Sequence, residues 1–279
     1  MAIMSNTMRL VFLSLAPLAL LVIIGYLLAG VLGSFVALVF FGMFTFVSYF
    51  FSEKIIVDMY CARPADEKKD KAYYDLVKRL AEVAEIAVPK LYVVDTCTPT
   101  SLTFGRDSKH ASVAVTTGLL QLCDDREIEA VISHELAHIA NDDISLRTFS
   151  AILSVAVLYP FELLWWKSVN AGGKAESLLR LPALLVAPFA AIMARLAVSS
   201  SVEVAADVSA SKISGKPKCL ALVLEKISRE VKFRPLKFGS HAMSHLFIMN
   251  PFNGTALSRF FVSRFRVKDR IQRLENMTA

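Results

Sequence analysis

Three residues of one short segment, His134, Glu135 and His138, have the types and the spacing of a hydrolytic metal site. Residues four apart lie above one another on a helix, so both imidazoles can bind one tetrahedral ion. The carboxylate of Glu135 can take a proton from a metal-bound water and pass it to a leaving amine. Zinc lowers the pKa of such a water towards neutrality, and the HExxH pattern therefore predicts a zinc hydrolase.

The alternative is a chance match, because HExxH also occurs on solvated helix faces. The flanking residues Ala130, Val131, Ile132 and Ile139 are apolar, however, and are not typical of a solvated face. Burying two histidines and a glutamate requires a function, so the pattern favours catalysis.

A catalytic zinc ion needs a third protein ligand and an open position for water. Glu203 is the candidate, because it begins a segment in which Asp207 follows four residues later on the same helix face. Asp207 can accept a hydrogen bond from a ligand imidazole, and Asp143 is a second candidate for that role. An acidic helix surface is the alternative, but the neighbouring valines and alanines make a poor solvent-facing helix.

Local patterns predict the elements that position these residues. Asp124 followed by Glu127 has the form of a capping box and should begin the helix that carries the histidines. The other predicted elements are a helix over 72–87, strands at 91–94 and 112–116, and a basic helix at 268–277.

The chain is too apolar for an ordinary soluble protein, with 55% hydrophobic residues and a mean hydropathy of +0.51 over 279 residues. Two apolar segments, 10–28 and 31–51, are each long enough to cross a bilayer as a helix. Only Ala29 and Gly30 separate them, which predicts a transmembrane helical hairpin at 1–51. A cleaved signal peptide is the alternative, but its apolar core would be shorter and no second span would follow.

Charge and cysteine usage indicate which side of the membrane the rest of the chain occupies. The net charge is +6, and much of the excess lies in Lys54–Arg79, directly after the second apolar segment. The positive-inside rule places that segment in the cytoplasm, and the absence of a basic stripe argues against nucleic-acid binding. The four cysteines have no CxxC spacing, which fits reduced thiols in the cytoplasm.

Two further apolar segments, 149–166 and 178–198, are interrupted by prolines and by the ionisable residues Glu162 and Arg195. An ionisable group at bilayer depth is costly unless it faces protein or water, so both membrane spans and membrane-associated helices remain open. The expected architecture is a mainly α membrane protein with a catalytic domain over 52–279 that these segments interrupt.

The chain resembles the HtpX family of membrane zinc metallopeptidases, which are related to the CAAX prenyl proteases. The likeness covers nearly the whole chain and includes the paired N-terminal segments. Its motifs are Val113-Ala-Val-Thr-Thr-Gly-Leu-Leu120, His134-Glu-Leu-Ala-His-Ile-Ala-Asn-Asp-Asp143, Glu203-Val-Ala-Ala-Asp207 and His245-Leu-Phe-Ile-Met-Asn-Pro251.

This resemblance implies a zincin-like α+β domain in which His134, His138 and Glu203 bind one zinc ion and Glu135 is the catalytic acid and base. It also implies an ATP-independent endopeptidase of the cell membrane (plasma or inner membrane) that clears damaged membrane proteins at the cytoplasmic face. The strand that contains Val113, Ala114 and Val115 would be the sheet edge that pairs with extended substrate. Arg270 and His245 match family positions and are candidates for residues near the site.

The chain departs from the family pattern at three places. Thr100-Ser101-Leu102 stands where the family often has Asn-Ala-Phe, and Ser263-Arg264-Phe265 replaces Thr-His-Pro. Val202 replaces the usual arginine before the third ligand. None of these changes removes a metal ligand or the base, but they leave the oxyanion stabiliser unassigned.

Two other functions compete with a quality-control endopeptidase. A CAAX prenyl-type protease is larger and encloses its site in many more spans, so this short chain argues against it. A non-catalytic membrane scaffold with a structural zinc would need a fourth protein ligand and would have no use for Glu135.

Overall fold

The computed structural model describes residues 6–156, 200–252 and 267–277. The segment 178–198 and the part of 149–166 after residue 156 lie outside the described residues, as does Ser263-Arg264-Phe265. The described helices and strands, in chain order, are α1 (Asn6–Met59), β1 (Arg63–Pro64), α2 (Lys71–Val83), β2 (Lys90–Val94), β3 (Ser101–Gly105), β4 (Ala111–Thr116), α3 (Thr117–Leu122), α4 (Asp125–Ala140), α5 (Ile144–Ala156), α6 (Ser200–Ser214), α7 (Pro217–Phe233) and α8 (Val267–Glu275). Short 3-10 turns lie at Ser108–His110 and His241–Leu246.

The long helix α1 is bent at Ala29 and Gly30, where the backbone leaves the helical conformation. Gly30 has a φ of 61°, which glycine adopts without steric cost. Beyond the bend the chain folds back, since the Ser34 hydroxyl donates to the Val22 carbonyl at 3.3 Å. Within the described residues, the stretch Pro17–Met59 is the one helix that is long and apolar enough to cross a membrane.

The four-stranded sheet has the order β1-β2-β4-β3. β2 and β4 are parallel, whereas β1 pairs antiparallel with β2 and β3 pairs antiparallel with β4. The prediction that Val113, Ala114 and Val115 form the edge of the sheet is therefore wrong, because β4 is paired on both sides. β3, which the sequence patterns did not indicate, pairs with β4 and forms the edge in its place.

The outer edge of β3 is covered at its beginning by a segment far along the chain. The backbone N–H of Ile248 donates to the Ser101 carbonyl at 3.0 Å, and Leu102 forms an isolated antiparallel bridge with Phe247. At the other end of the strand, the Gly105 N–H donates to the Thr148 hydroxyl at 3.0 Å.

The two faces of the sheet pack in two hydrophobic cores. On one face, the core contains the strand residues Val93, Val113 and Val115 together with residues of α2, α4, α6 and α7. On the other face, the core contains the strand residues Leu102, Phe104 and Ala114 together with Ile56, Tyr60 and Ile152. Because side chains alternate along a strand, β3 turns Leu102 and Phe104 to one face and Ser101 and Thr103 to the other.

The end of α1 packs against the sheet. The sequence predicts that the apolar helix ends near residue 51, but α1 continues to Met59 and buries Ile56. Glu53 fixes it to the sheet by accepting hydrogen bonds from Lys90 Nζ at 2.8 Å and the Tyr92 hydroxyl at 2.7 Å.

Several predicted elements are confirmed with shifted ends. The strands at 91–94 and 112–116 each begin one residue earlier, and the basic C-terminal helix is α8. The predicted helix over 72–87 is α2, which ends at Val83 because Glu85 takes a positive φ of 55°. Left-handed backbone cannot continue a right-handed helix.

Gly33→Ala should destabilise the protein, because a Cβ at this position would lie 1.9 Å from the Gly25 carbonyl oxygen. Overpacking of this kind costs roughly 1–3 kcal/mol, which corresponds to a decrease of a few degrees in melting temperature in detergent. Gly42→Ala is the matched control in the same helix, since a Cβ there meets no atom within 4 Å. Equal melting temperatures for the two variants would contradict the close contact of Gly25 and Gly33, which lie in the parts of α1 before and after the bend.

Candidate metal centre

The HExxH segment lies on α4, in the interior of the protein. The capping box forms as predicted: Asp124 accepts from the Glu127 N–H at 2.9 Å, and Glu127 accepts from the Asp124 N–H at 3.0 Å. Every residue from Ala130 to Ile139 is buried, with α4 lying between the sheet and the helices α6 and α7. The motif is therefore not part of a solvated helix face.

His134, His138 and Glu203 form a group whose potential ligand atoms all lie within 4.8 Å of one another. The Nε2 atoms of the two histidines are 3.3 Å apart. Glu203, on α6, brings its carboxylate oxygens to 3.8 Å from His134 Nε2 and 4.0 Å from His138 Nε2. Two bonds of about 2.05 Å at a tetrahedral angle separate ligand atoms by about 3.3 Å, so the group fits a zinc-sized ion after a small shift of Glu203.

The other nitrogen of each imidazole lies against a carboxylate. Asp143 approaches His138 Nδ1 at 3.0 Å, and Asp207 approaches His134 Nδ1 at 3.1 Å. A carboxylate at Nδ1 favours the proton on that nitrogen, which for His138 directs the Nε2 lone pair towards His134. Burial lowers the pKa of His138 well below its usual range, and Arg147 adds to the effect, so this imidazole is neutral. Two imidazole nitrogens and a carboxylate are a donor set for a cation.

Arg270 of α8 connects three parts of this centre. Its guanidinium makes two hydrogen bonds to Asp207, at 2.9 and 2.7 Å, and donates to the Ile248 carbonyl at 2.8 Å. Its Nη1 is also 3.4 Å from Glu203 Oε2. The structure thus brings Arg270 to the centre, where the sequence had made it a candidate.

Arg147 of α5 is a residue near the centre that the sequence analysis missed. It is 1% exposed, and its Nη2 lies 3.7 Å from Glu203 Oε1. Burial alone would raise the pKa of Glu203, but Arg270 and Arg147 outweigh it and hold that pKa below its usual value. The one sequence feature that could have indicated a role for Arg147 is its position just before the apolar segment 149–166.

His245 is tied to α5 rather than to the ligand group. Its Nε2 lies 3.0 Å from the Ser150 hydroxyl and 3.2 Å from the Arg147 carbonyl, while its own carbonyl accepts from Arg147 at 2.8 Å. Burial, with a smaller effect of Arg147, lowers the pKa of His245 to about 4. His245 thus contacts a residue that borders Glu203.

Glu135 points from α4 towards the edge strand β3. Its carboxylate accepts hydrogen bonds from the Ser101 hydroxyl at 2.6 Å and from the Thr103 hydroxyl. The sequence analysis missed both partners because it did not predict β3. The centre therefore combines a cation site with a neighbouring carboxylate whose orientation is fixed.

Comparison with known proteins identifies relatives over most of the chain. Residues 67–278 match the family model described as Peptidase family M48. A protein named Protease HtpX homolog from Thermococcus sibiricus is 37% identical, and the alignment covers 92% of this chain and 91% of the relative. Homologs of the same name from Desulforapulum autotrophicum and Pyrococcus furiosus are 36% and 38% identical, covering 98% and 92% of this chain and 90% and 91% of their own lengths.

Asp207→Asn should weaken zinc binding by about 10- to 100-fold, because the amide replaces a carboxylate that contacts both His134 and Arg270. The measurement is zinc affinity by competition with a chromophoric chelator in detergent. Asp75→Asn, at an exposed position of α2, is the control and should bind zinc as the wild type does. An unchanged affinity in Asp207→Asn would show that this contact does not support the ligand.

Proposed function

The chain belongs to peptidase family M48, and from that premise we propose that this metalloprotease is a zinc-dependent endopeptidase that cleaves misfolded or damaged membrane proteins. The buried group of His134, His138 and Glu203, together with the buried Glu135 that follows His134 in the sequence, is the observation that carries the proposal. Its chemistry is that of a hydrolytic zinc site: two imidazoles, one carboxylate and an adjacent base.

His134, His138 and Glu203 would hold one zinc ion per chain. When bound, zinc supplies a Lewis acid and lowers the pKa of a water in its open coordination position. Glu135 accepts the proton of the attacking water at a carboxylate oxygen and then donates it to the nitrogen of the leaving amine. Asp207 and Asp143 keep the two imidazoles oriented through their Nδ1 atoms, at 3.1 and 3.0 Å.

The alternative of a structural zinc in a scaffold has less support. A closed structural site has four protein ligands, and among the described residues the group of potential ligands contains three. A three-ligand group leaves a position for water, as a catalytic site requires. A CAAX prenyl-type protease shares this chemistry and differs from the proposed enzyme in its substrate.

The proposed arrangement in the membrane follows from α1. Residues 10–28 and 31–51 form two spans on either side of the bend at Gly30. Residues 52–279, interrupted by the apolar segments 149–166 and 178–198, form a zincin-like catalytic domain that faces the cytoplasm from the plasma or inner membrane. The basic residues of Lys54–Arg79 support this orientation. The fixation of Glu53 to Lys90 keeps the catalytic domain close to the end of the second span, where segments of membrane proteins are within reach.

Glu135→Ala should abolish proteolysis while zinc stays bound, because its carboxylate serves the water and not the metal. Glu203→Ala should lose zinc and activity together, because it removes a ligand. The measurements are zinc per chain by atomic absorption and cleavage of casein or of an unfolded membrane protein in detergent.

Glu82→Ala, at an exposed position of α2, is the control and should match the wild type in both measurements. Zinc-loaded wild type without activity on any substrate would favour the scaffold. Unchanged zinc content in Glu203→Ala would assign the third ligand to another residue.

A further inference from the structure

Both carboxylate oxygens of Glu135 are occupied by hydroxyl groups of one strand. Ser101 Oγ donates to Oε1 at 2.6 Å, and Thr103 Oγ1 donates to Oε2. Thr103 Oγ1 also lies 3.3 Å from the Glu135 backbone carbonyl, but a hydroxyl has a single proton and the carboxylate oxygen is the nearer acceptor. The carboxylate is thus held at two points rather than one, which fixes its plane as well as its position.

The three residues are fully enclosed. Ser101 and Thr103 are 0% exposed, and Glu135 is 1% exposed. A carboxylate in such a place is costly unless it accepts hydrogen bonds, and bonds to a charged group are stronger than those between neutral groups. Two buried hydroxyls aimed at one buried carboxylate therefore satisfy acceptor atoms that would otherwise lie in the interior without partners.

This contact leaves the proton-accepting capacity of Glu135 intact. A carboxylate offers about four lone-pair positions, and the two hydroxyls use two of them. One free position on each oxygen remains for a water proton. The hydroxyls can therefore orient the carboxylate without taking its place in the reaction.

We propose that Ser101 and Thr103 are positioning residues that hold the Glu135 carboxylate in the orientation needed to accept the proton of the attacking water. The inference rests on the proposed function and adds to it two residues of β3. Because β3 is paired with β4 over its whole length, the two hydroxyls are attached to a rigid sheet. Rigid attachment matters because small errors in the position of a catalytic group cost large factors in rate.

The kinetic test compares Ser101→Ala, Thr103→Val and the double variant with the wild type in detergent. Each single variant should lower kcat by about tenfold and the double variant by more, with KM within about twofold and unchanged zinc per chain. Thr103→Ser retains a hydroxyl and should retain most of kcat. Ser112→Ala is the matched control, since Ser112 is a buried hydroxyl residue of the adjacent strand β4 and alternates to the opposite face from Val113.

A second measurement does not depend on activity. Melting temperatures of metal-free protein are compared in a double-mutant cycle between Glu135→Ala and the Ser101→Ala/Thr103→Val pair. With Glu135 present, removing both hydroxyls leaves a buried carboxylate without donors and should lower the melting temperature by several degrees. In the Glu135→Ala background the same pair should change it by much less.

The outcomes separate this inference from the proposed function. Additive melting shifts would overturn the contact, and a wild type that still cleaves substrate would leave the endopeptidase proposal standing. Coupled shifts with kcat equal to that of Ser112→Ala would assign the hydroxyls to stability and overturn the positioning role. A wild type without proteolysis would overturn the proposed function and the positioning role with it, whereas the melting cycle would still decide whether the contact exists.

Discussion

The centre depends on holding the Nε2 atoms of two imidazoles 3.3 Å apart, beside a carboxylate, in the interior of the protein. Lone pairs at that distance repel unless a cation lies between them, and the imidazoles must be kept neutral and correctly turned. Asp143 and Asp207 lie 3.0 and 3.1 Å from the Nδ1 atoms of His138 and His134, where a carboxylate can set the direction of the ring. Arg270 contacts Asp207 and Glu203, and Arg147 lies near Glu203, so side chains from several helices meet at this one place.

Two buried arginines connect Glu203 with the segment 245–248, which is distant in sequence. Arg147 and Arg270 flank Glu203 at 3.7 and 3.4 Å, and both also donate to backbone carbonyls of the 245–248 segment. A buried guanidinium is stable only when it is paired with an opposite charge or donates to acceptors. Here each arginine lies near a carboxylate and also donates to a backbone carbonyl. Glu203 and the segment that covers β3 are therefore positioned together, although they are more than 40 residues apart in sequence.

The parts of the centre that could be predicted from the sequence are those that local spacing determines. HExxH, the capping box and the i, i+4 pair of Glu203 and Asp207 all follow from helix geometry. Contacts between distant elements leave no such periodicity. Arg147 could not be connected to Glu203, and β4 was mistaken for an edge because the pairing of β3 depends on tertiary structure. Ser101 and Thr103 do alternate with Leu102 and Phe104, but five residues are a weak strand signal.

The cover over the outer side of β3 also bears on how copies of this protein behave next to one another. An uncovered edge strand is a template on which another molecule can add its own strand, and tethering to a surface raises the frequency of such encounters. Here Phe247 and Ile248 pair with the beginning of β3, and the Thr148 hydroxyl accepts a hydrogen bond from the N–H at its end. The opposite edge, β1, has two residues, of which Pro64 has no N–H to offer. Both sides of the sheet are thus poor templates, which protects a crowded population of these molecules from joining into aggregates through their sheets.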